Sequence, residues 1–248
     1  MKAMIFAAGL GTRLRPITDT MPKALVPVCG KPLLYHTICK LRDAGYDDIV
    51  VNVHHFPEQI RQYLQEHDFG VRICISDESE QLLETGGGIL AARHLLAGDA
   101  PFLVHNVDIV SNLDLALLRA ATRPGVMATL VVSARDTRRY LLFDDDMRLV
   151  GWTDTATGEV RSPYPGLDPS ACRRYAFSGI HNIGPEVFDA MDALGFTGRF
   201  PIMDFYLKAC AEYPIRGYLA DNLNMVDVGK LDTLPEAEQI CATLLQRV

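Results

Sequence analysis

The first half of the chain alternates short apolar runs with amphipathic segments, and this alternation constrains the fold more than any other feature. Strands are predicted at 3–8, 48–53, 71–76, 102–110 and 127–133. Helices are predicted at 32–44, 57–66, 88–96 and 113–121, the last capped by Asn112. The alternation predicts an α/β fold, a mainly parallel sheet with helices on both faces. Ligands in such sheets bind beyond the carboxyl ends of the strands.

The second half departs from this pattern between 135 and 180. Two short strands, at 140–143 and 149–152, flank three aspartates, and a loop rich in proline, glycine and serine follows at 161–171. We interpret 135–180 as an inserted β subregion within a single domain that spans 1–248. Further helices are predicted at 185–193, 201–212 and 232–246, and a strand at 223–228.

Composition excludes several classes of protein. The net charge is −7 and no basic block occurs, which argues against a nucleic-acid partner. No apolar stretch approaches the roughly 18 residues of a membrane span. The six cysteines are scattered without a C-x-x-C pair, so neither a disulfide framework nor a zinc site is expected. We therefore expect a cytoplasmic protein without a membrane partner.

The loop after the first strand combines two glycines with two cations. Gly9 and Gly11 permit a sharp turn and the close approach of backbone amides to a ligand. Arg13 offers a planar fork for phosphate oxygens, and Lys23 offers a compact positive charge. The glycines alone are equally typical of a plain tight turn. Together with the cations, they suit a triphosphate.

The full segment, G-x-G-T-R-x-x-P followed by P-K-A-L-V-P-V, closely resembles the signature of the nucleoside-diphosphate-sugar pyrophosphorylases, which are sugar-1-phosphate nucleotidylyltransferases. This resemblance implies a Rossmann-like (GT-A-like) nucleotidyltransferase fold with a mixed sheet, a Mg2+ cofactor, and a monomer or homodimer. It implies that Lys23 contacts phosphates at the reacting centre. The residues that it implies for triphosphate binding are Ala7, Ala8, Gly9, Gly11, Thr12 and Arg13.

A second motif, Glu84-Thr85-Gly86-Gly87-Gly88, has three glycines that open a predicted helix. Glycines there permit close approach of a flat or anionic ligand to free amides, although alone they favour a flexible loop. The motif resembles the nucleobase-binding loop of the family, which implies that Glu84, Thr85 and Gly86 bind the nucleotide. Its form, L-L-E-T-G-G-G-I, is closer to N-acetylmuramate-1-phosphate uridylyltransferases and mannose-1-phosphate guanylyltransferases than to glucose-1-phosphate thymidylyltransferases.

Two aspartates stand at predicted strand ends, Asp108 in H-N-V-D and Asp227 in V-D-V-G. A carboxylate at such an edge can meet a hard cation bound to phosphate, although a lone aspartate there is more often a cap or turn residue. The resemblance implies that both bind Mg2+, that Asn106 contacts the nucleotide and that Asp227 also contacts the substrate. Val107 departs from the glycine that the family has at its position.

The segment A-F-S-G-I at 176–180 resembles the sugar-side loop of the family, which implies that Gly179 and Asn182 contact the acceptor. The Glu-Lys-Pro segment that many relatives carry after this region is missing here. Arg138 and Arg139 are therefore our candidates for binding the acceptor phosphate.

These features predict an enzyme with Arg13, Lys23 and Asp108 as its catalytic residues. A phosphate oxygen of a sugar 1-phosphate attacks the α-phosphorus of a nucleoside triphosphate (NTP), and pyrophosphate leaves. UTP with N-acetylmuramate 1-phosphate is the favoured pair, and GTP with mannose 1-phosphate is the alternative. From another class, a non-catalytic nucleotide-sugar sensor would retain the same fold.

Overall fold

The computed structural model describes residues 1–220 and 222–245. The strands are β1 (Lys2–Phe6), β2 (Pro27–Val28), β3 (Lys31–Pro32), β4 (Asp48–Val53), β5 (Arg72–Asp77), β6 (Phe102–Asn106), β7 (Ile109–Ser111), β8 (Ala128–Ser133), β9 (Arg139–Phe143), β10 (Leu149–Asp154), β11 (Glu159–Arg161), β12 (Arg173–Ile183), β13 (Ile215–Leu219) and β14 (Met225–Asp227). The α-helices are α1 (Leu33–Asp43), α2 (Pro57–Glu66), α3 (Glu84–Ala91), α4 (Arg93–Leu96), α5 (Leu115–Ala121), α6 (Val187–Ala193), α7 (Ile202–Ala209) and α8 (Leu234–Leu245).

One mixed sheet organises the molecule, with strand order β11-β10-β9-β12-β6-β1-β4-β5 and with β8 and β13 continuing from β12. β6, β1, β4 and β5 pair in parallel, as do β8 and β13. β12 pairs antiparallel with both β6 and β8. Because β6 and β8 both oppose β12, β8 and β13 run in the same direction as the parallel block. The carboxyl ends of six strands therefore lie at one edge of the sheet.

The side chains of β1 point alternately to the two faces of the sheet, and each face carries its own hydrophobic core. Ala3 and Ile5 pack on one face with α1, α2, α5 and α8, whereas Met4 packs on the other with α3, α4, α6 and α7. Successive side chains of a strand point to opposite faces, so a fully apolar strand such as β1 is buried on both sides. This arrangement confirms the predicted α/β fold with helices on both faces.

Several predicted elements differ from the structure. The strand expected at 102–110 is two strands, because the chain turns at Val107 and Asp108 between β6 and β7. Asn112 does not cap α5. The cap is Asp114, whose carboxylate accepts hydrogen bonds from the Ala116 and Leu117 amides, while Asn112 donates to the Asn222 carbonyl. β13 and most of β12 were not predicted from the sequence, and their pairings join distant parts of the chain.

The predicted β subregion at 135–180 forms β9, β10, β11 and the first part of β12, and it extends the central sheet. Its description as an insertion within a single domain stays a prediction. None of the described helices combines the length and apolar composition that a membrane span requires.

Candidate active site

A cleft of about 510 Å³ opens at the carboxyl ends of β1, β4, β5 and β6. It lies where the parallel topology predicts a ligand. Its lining residues come from the loop after β1, from strand ends, from α3 and from the segment after β14: Phe6, Ala7, Ala8, Gly9, Leu10, Gly11, Thr12, Arg13, Lys23, Asn52, Glu78, Leu82, Glu84, Thr85, Asn106, Val107, Asp108 and Gly229.

The two glycines of the β1 loop serve different purposes. Gly11 has a φ of 64°, and a Cβ atom there would lie 2.9 Å from Thr18 Cγ2. The Thr18 hydroxyl donates to the Gly11 carbonyl over 2.8 Å and holds this turn. Gly9 is exposed, and no atom lies within 4 Å of the position of its missing Cβ. Gly11 is therefore needed by the backbone, whereas Gly9 leaves room for a ligand.

Lys23 stands between the two predicted metal ligands. It lies in a short 3-10 turn, is 8% exposed, and donates a hydrogen bond from Nζ to Asp108 Oδ2. The same Nζ lies 3.9 Å from Asp227 Oδ1. One buried ammonium group thus offsets part of the negative charge of two carboxylates that are far apart in sequence.

Strand pairing brings Asp108 and Asp227 together. β14 pairs antiparallel with β7, with Asp227 opposite Ile109, and the Val228 amide donates to the Asp108 carbonyl over 2.8 Å. Burial raises the pKa of Asp227 above its ordinary value, and the neighbouring Asp108 carboxylate raises it further. The Lys23 and Arg13 cations oppose this rise in pKa. The site therefore holds closely spaced negative charge that cations stabilise.

Gly229 lets Arg13 reach this pair. A Cβ atom at Gly229 would lie 2.6 Å from Arg13 Nη2 and 2.8 Å from Asp227 Oδ1. The glycine of the V-D-V-G motif therefore gives the guanidinium its place beside Asp227. Arg13 itself is exposed to the cleft, so its fork remains accessible to an anionic ligand.

The donor set at this position fits Mg2+. Asp108 and Asp227 supply two carboxylates, and the position between them already attracts a cationic group, the Lys23 ammonium. Among residues 1–220 and 222–245, no group of three or more histidines, cysteines or acidic residues could hold a metal ion. Mg2+ typically binds one or two carboxylates and takes further oxygen ligands from substrate phosphates and water. Two carboxylates beside a phosphate-binding loop match that preference.

Val107 packs where the resembled signature has glycine. It is 4% exposed, its amide donates to the Phe6 carbonyl over 3.1 Å, and it does not adopt the left-handed backbone conformation. A β-branched side chain is acceptable there because the turn requires no positive φ. The side chain joins the core beneath the loop, and Asp108 stays at the strand edge.

A chain of buried hydrogen bonds, which was not predicted from the sequence, holds together the elements at the base of the cleft. The Ala7 amide donates to Asn52 Oδ1 over 2.7 Å, and Asn52 Nδ2 donates to Glu78 Oε1 over 2.7 Å. Glu78 Oε2 in turn accepts from the Leu83 amide over 3.0 Å. Burial raises the pKa of Glu78, and the hydrogen bonds from Asn52 and Leu83 oppose that rise. Asn52 lies near the end of β4 and Glu78 directly follows β5. Polar residues at the ends of two neighbouring parallel strands were the sequence signal that could have identified this pair.

The three glycines of the second motif are used for packing. α3 begins at Glu84, so they lie inside the helix rather than before it. The Gly86 and Gly87 amides donate to the Phe200 carbonyl over 2.9 and 3.0 Å. A Cβ at Gly86 would lie 2.2 Å from the Phe200 ring. Gly86 is not a lining residue of the cleft and its amide is already paired, so its contact with the nucleotide stays a prediction that this arrangement does not favour.

Glu84 and Thr85 do line the cleft, and contacts from the start of α7 and the segment before it fix both. Arg199 donates to Glu84 Oε1 from Nε and Nη2 over 2.9 and 2.7 Å. The Ile202 amide donates to Thr85 Oγ1 over 2.9 Å. Glu84 has a φ of 62°, which is unusual for a residue with a side chain. The loop expected to bind the base is thus held by the second half of the chain.

The predicted sugar-side residues separate in the structure. Gly179 lies within β12 at a register irregularity, with a φ of 70°, and a Cβ there would lie 2.7 Å from Asn106 Nδ2. It therefore borders a cleft residue, but 176–180 is strand rather than loop. Asn182 pairs with Leu103, farther from the carboxyl end of β6, and donates to Thr122 Oγ1 over 3.0 Å. Its side chain is thus engaged within the protein, and its contact with the acceptor stays a prediction.

Arg138 and Arg139 also have another partner. Arg138 Nε lies 2.7 Å from both carboxylate oxygens of Asp154, and Arg139 Nε lies 3.7 Å from Asp154 Oδ2. The Asp154 side chain is only 3% exposed, so these arginines neutralise a buried carboxylate within the hairpin. Their predicted role at the acceptor phosphate has no support in this arrangement.

Comparisons with known proteins agree with this geometry. The family model described as nucleotidyl transferase matches residues 2–143. An N-acetylmuramate alpha-1-phosphate uridylyltransferase of Caulobacter vibrioides is 34% identical over 233 residues, covering 90% of each chain. A mannose-1-phosphate guanyltransferase of Eremothecium gossypii is 38% identical over 228 residues, covering 89% of this chain and 61% of that relative. A crystal structure of UDP-glucose pyrophosphorylase with UDP-glucose superposes with a TM-score of 0.77 at 17% identity, covering 98% of both chains.

Proposed function

The chain belongs to the nucleotidyl transferase family and is a sugar-1-phosphate nucleotidyltransferase, and from that premise we propose that its substrates are UTP and N-acetylmuramate 1-phosphate. The observation that carries this choice is the similarity to an N-acetylmuramate alpha-1-phosphate uridylyltransferase over nine-tenths of both chains. Membership of an enzyme family, with both aspartates and Lys23 in one cluster, argues against the sensor alternative.

In the proposed reaction, the acceptor phosphate attacks the α-phosphorus of the NTP in line, and pyrophosphate leaves. Mg2+ held by Asp108 and Asp227 would supply positive charge to the reacting phosphates. Arg13 and the β1 loop bind the triphosphate through the guanidinium and the backbone amides. Lys23 exchanges its carboxylate partners for phosphate oxygens and offsets charge on the departing group. No covalent enzyme intermediate is required.

The nucleobase lies, in this proposal, toward α3 and the end of β5. Glu84 and Thr85 line that end of the cleft, and Arg199 and Ile202 hold them in place. A fixed carboxylate can accept a hydrogen bond from an imide N–H of a base. Fixed groups lose little freedom on binding, which favours selectivity between bases.

GTP with mannose 1-phosphate is the second candidate. It is favoured by the 38% identity to a mannose-1-phosphate guanyltransferase, although that alignment covers only 61% of the relative. The base-binding end of the cleft presents carboxylates, which accept hydrogen bonds from uracil and from guanine alike. The choice between the pairs therefore depends on a direct assay.

The test is pyrophosphate release with Mg2+ across a matrix of five nucleoside triphosphates, including dTTP, and several sugar 1-phosphates. We expect the highest kcat/KM for UTP with N-acetylmuramate 1-phosphate. A clear maximum for GTP with mannose 1-phosphate would transfer the assignment to the second candidate. Absence of pyrophosphate release from every pair, with folded protein that binds nucleotide, would contradict the proposed reaction.

A further inference from the structure

A second cleft, of about 450 Å³, opens at the carboxyl ends of β8 and β13. Its borders include Ser133 at the end of β8, Arg135 just after that strand, Leu219 at the end of β13, and Met225 at the start of β14. Because β8 and β13 run in the same direction as β6, this cleft opens at the same sheet edge as the nucleotide cleft. Along the chain, Asp227 lies between Met225, which borders this cleft, and Gly229, which lines the nucleotide cleft.

Ser133 gives this cleft an unused polar group. It is only 8% exposed, and its hydroxyl has no hydrogen-bond partner within the described chain. Buried hydroxyl groups are almost always paired in folded proteins, so an unpaired one at the wall of a cleft indicates a missing partner. A hydroxyl or phosphate oxygen of a bound ligand would supply that partner.

Arg135 is the cation that faces this cleft. Its Nη2 donates to the Phe177 carbonyl over 3.0 Å, which anchors the guanidinium and leaves its other N–H groups for a ligand. Arg138 and Arg139, only a few residues away, are instead committed to the buried carboxylate of Asp154.

We propose that Arg135 binds the phosphate of the acceptor and that Ser133 hydrogen-bonds a polar oxygen of the same molecule in this second cleft. This inference rests on the proposed function, since it names the residues that receive a sugar 1-phosphate. A guanidinium anchored by one hydrogen bond presents a fixed fork to phosphate, and the same cleft is bordered by Met225, on the strand that ends at Asp227. The anchored fork thereby selects acceptors that carry a phosphate on the sugar.

The experiment compares Arg135→Gln with Arg138→Gln, a matched control that removes the same charge from the same segment. Loss of one charge-assisted contact should raise the KM for N-acetylmuramate 1-phosphate by about 10- to 100-fold in Arg135→Gln. The KM for UTP should stay within about twofold of wild type in both variants, because neither residue lines the nucleotide cleft. Arg135→Lys should recover part of the acceptor affinity, since it keeps the charge but not the fork.

A second measurement avoids reliance on turnover or on one variant. Calorimetric titration of N-acetylmuramate 1-phosphate into the wild-type protein and into Ser133→Ala should show weaker binding by about three- to tenfold in the variant. An unchanged acceptor KM in Arg135→Gln, or an equal rise in Arg138→Gln, would overturn this inference while the proposed function stands. A wild-type enzyme that is inactive with every acceptor would instead contradict the proposed function itself.

Discussion

The proposed nucleotide side and the proposed acceptor side of this molecule are built differently at the same edge of one sheet. On the nucleotide side, the loop after β1 carries glycines and cations within a few residues of each other. On the side where we place the acceptor, Arg135 and Leu219 border one cleft because β8 and β13 pair in parallel, although long stretches of chain separate them. The first kind of site leaves a local motif in the sequence, and the second does not.

The proposed metal position, between Asp108 and Asp227, lies where these two sides meet. Asp108 follows β6 of the parallel block, whereas Asp227 ends β14 and is brought in by the pairing of β14 with β7. Lys23 contacts both carboxylates. A change at this position should therefore affect the chemistry itself, and changes to either side alone should affect binding or stability.

The largest effect is expected from Asp108→Asn, which tests that junction. Removing one carboxylate from the metal position should lower kcat by about 1,000-fold, because metal coordination supplies several kcal/mol of transition-state stabilisation. The fold should survive, since Lys23 keeps Asp227 as a partner 3.9 Å away. Steady-state pyrophosphate release and the thermal unfolding midpoint, measured on the same preparation, check both expectations.

The matched control for this prediction is Asp145→Asn at the tip of the β9–β10 hairpin. The Asp145 side chain is 97% exposed, and its partner Arg173 is a surface residue, so activity and stability should match the wild type. Chelation of divalent metal should abolish wild-type turnover and change little in Asp108→Asn. Wild-type rates in Asp108→Asn would contradict the metal role of this carboxylate.

A smaller effect is expected from Gly86→Ala, which tests whether the nucleotide side depends on the second half of the chain. Helix propensity alone would favour alanine by about 1 kcal/mol. The added methyl would however lie 2.2 Å from the Phe200 ring, and such overpacking costs about 1–3 kcal/mol. We therefore expect a net loss in the free energy of unfolding, measured by urea denaturation, together with a higher KM for the NTP.

Gly98→Ala is the control for that variant. Its added methyl would approach nothing closer than Lys2 Nζ at 3.8 Å, so the free energy of unfolding should change by less than about 0.5 kcal/mol. A stabilised Gly86→Ala with an unchanged KM would mean that α3 does not depend on its contact with Phe200. Nucleotide binding would then depend only on residues of the first half of the chain, where its motifs lie.

The contrast between the two sides also explains what the sequence could predict. The α/β fold could be predicted from the strand–helix alternation, and the phosphate-binding loop after β1 from its glycines and cations. Both signals lie within short stretches of sequence. Arg138 was a reasonable candidate by composition, yet only the structure reveals that Asp154 neutralises it. Likewise, the use of Gly86 for packing depends on Phe200, more than a hundred residues away in sequence. Long-range contacts of this kind leave no local pattern in one sequence.

The smallest effect is expected from Asn182→Ala, where the local motif and the three-dimensional contacts disagree most directly. The motif places Asn182 at the acceptor, whereas the structure has it 5% exposed and hydrogen-bonded to Thr122 Oγ1 over 3.0 Å. Loss of that bond should cost about 1 kcal/mol of unfolding free energy, and Thr122 would keep its bond to the Leu118 carbonyl. The acceptor KM should remain within about twofold of wild type. A tenfold rise in that KM without loss of stability would instead show that the motif identifies an acceptor-binding residue correctly. The acceptor side would then also be recognisable from a short sequence motif, contrary to the comparison drawn above.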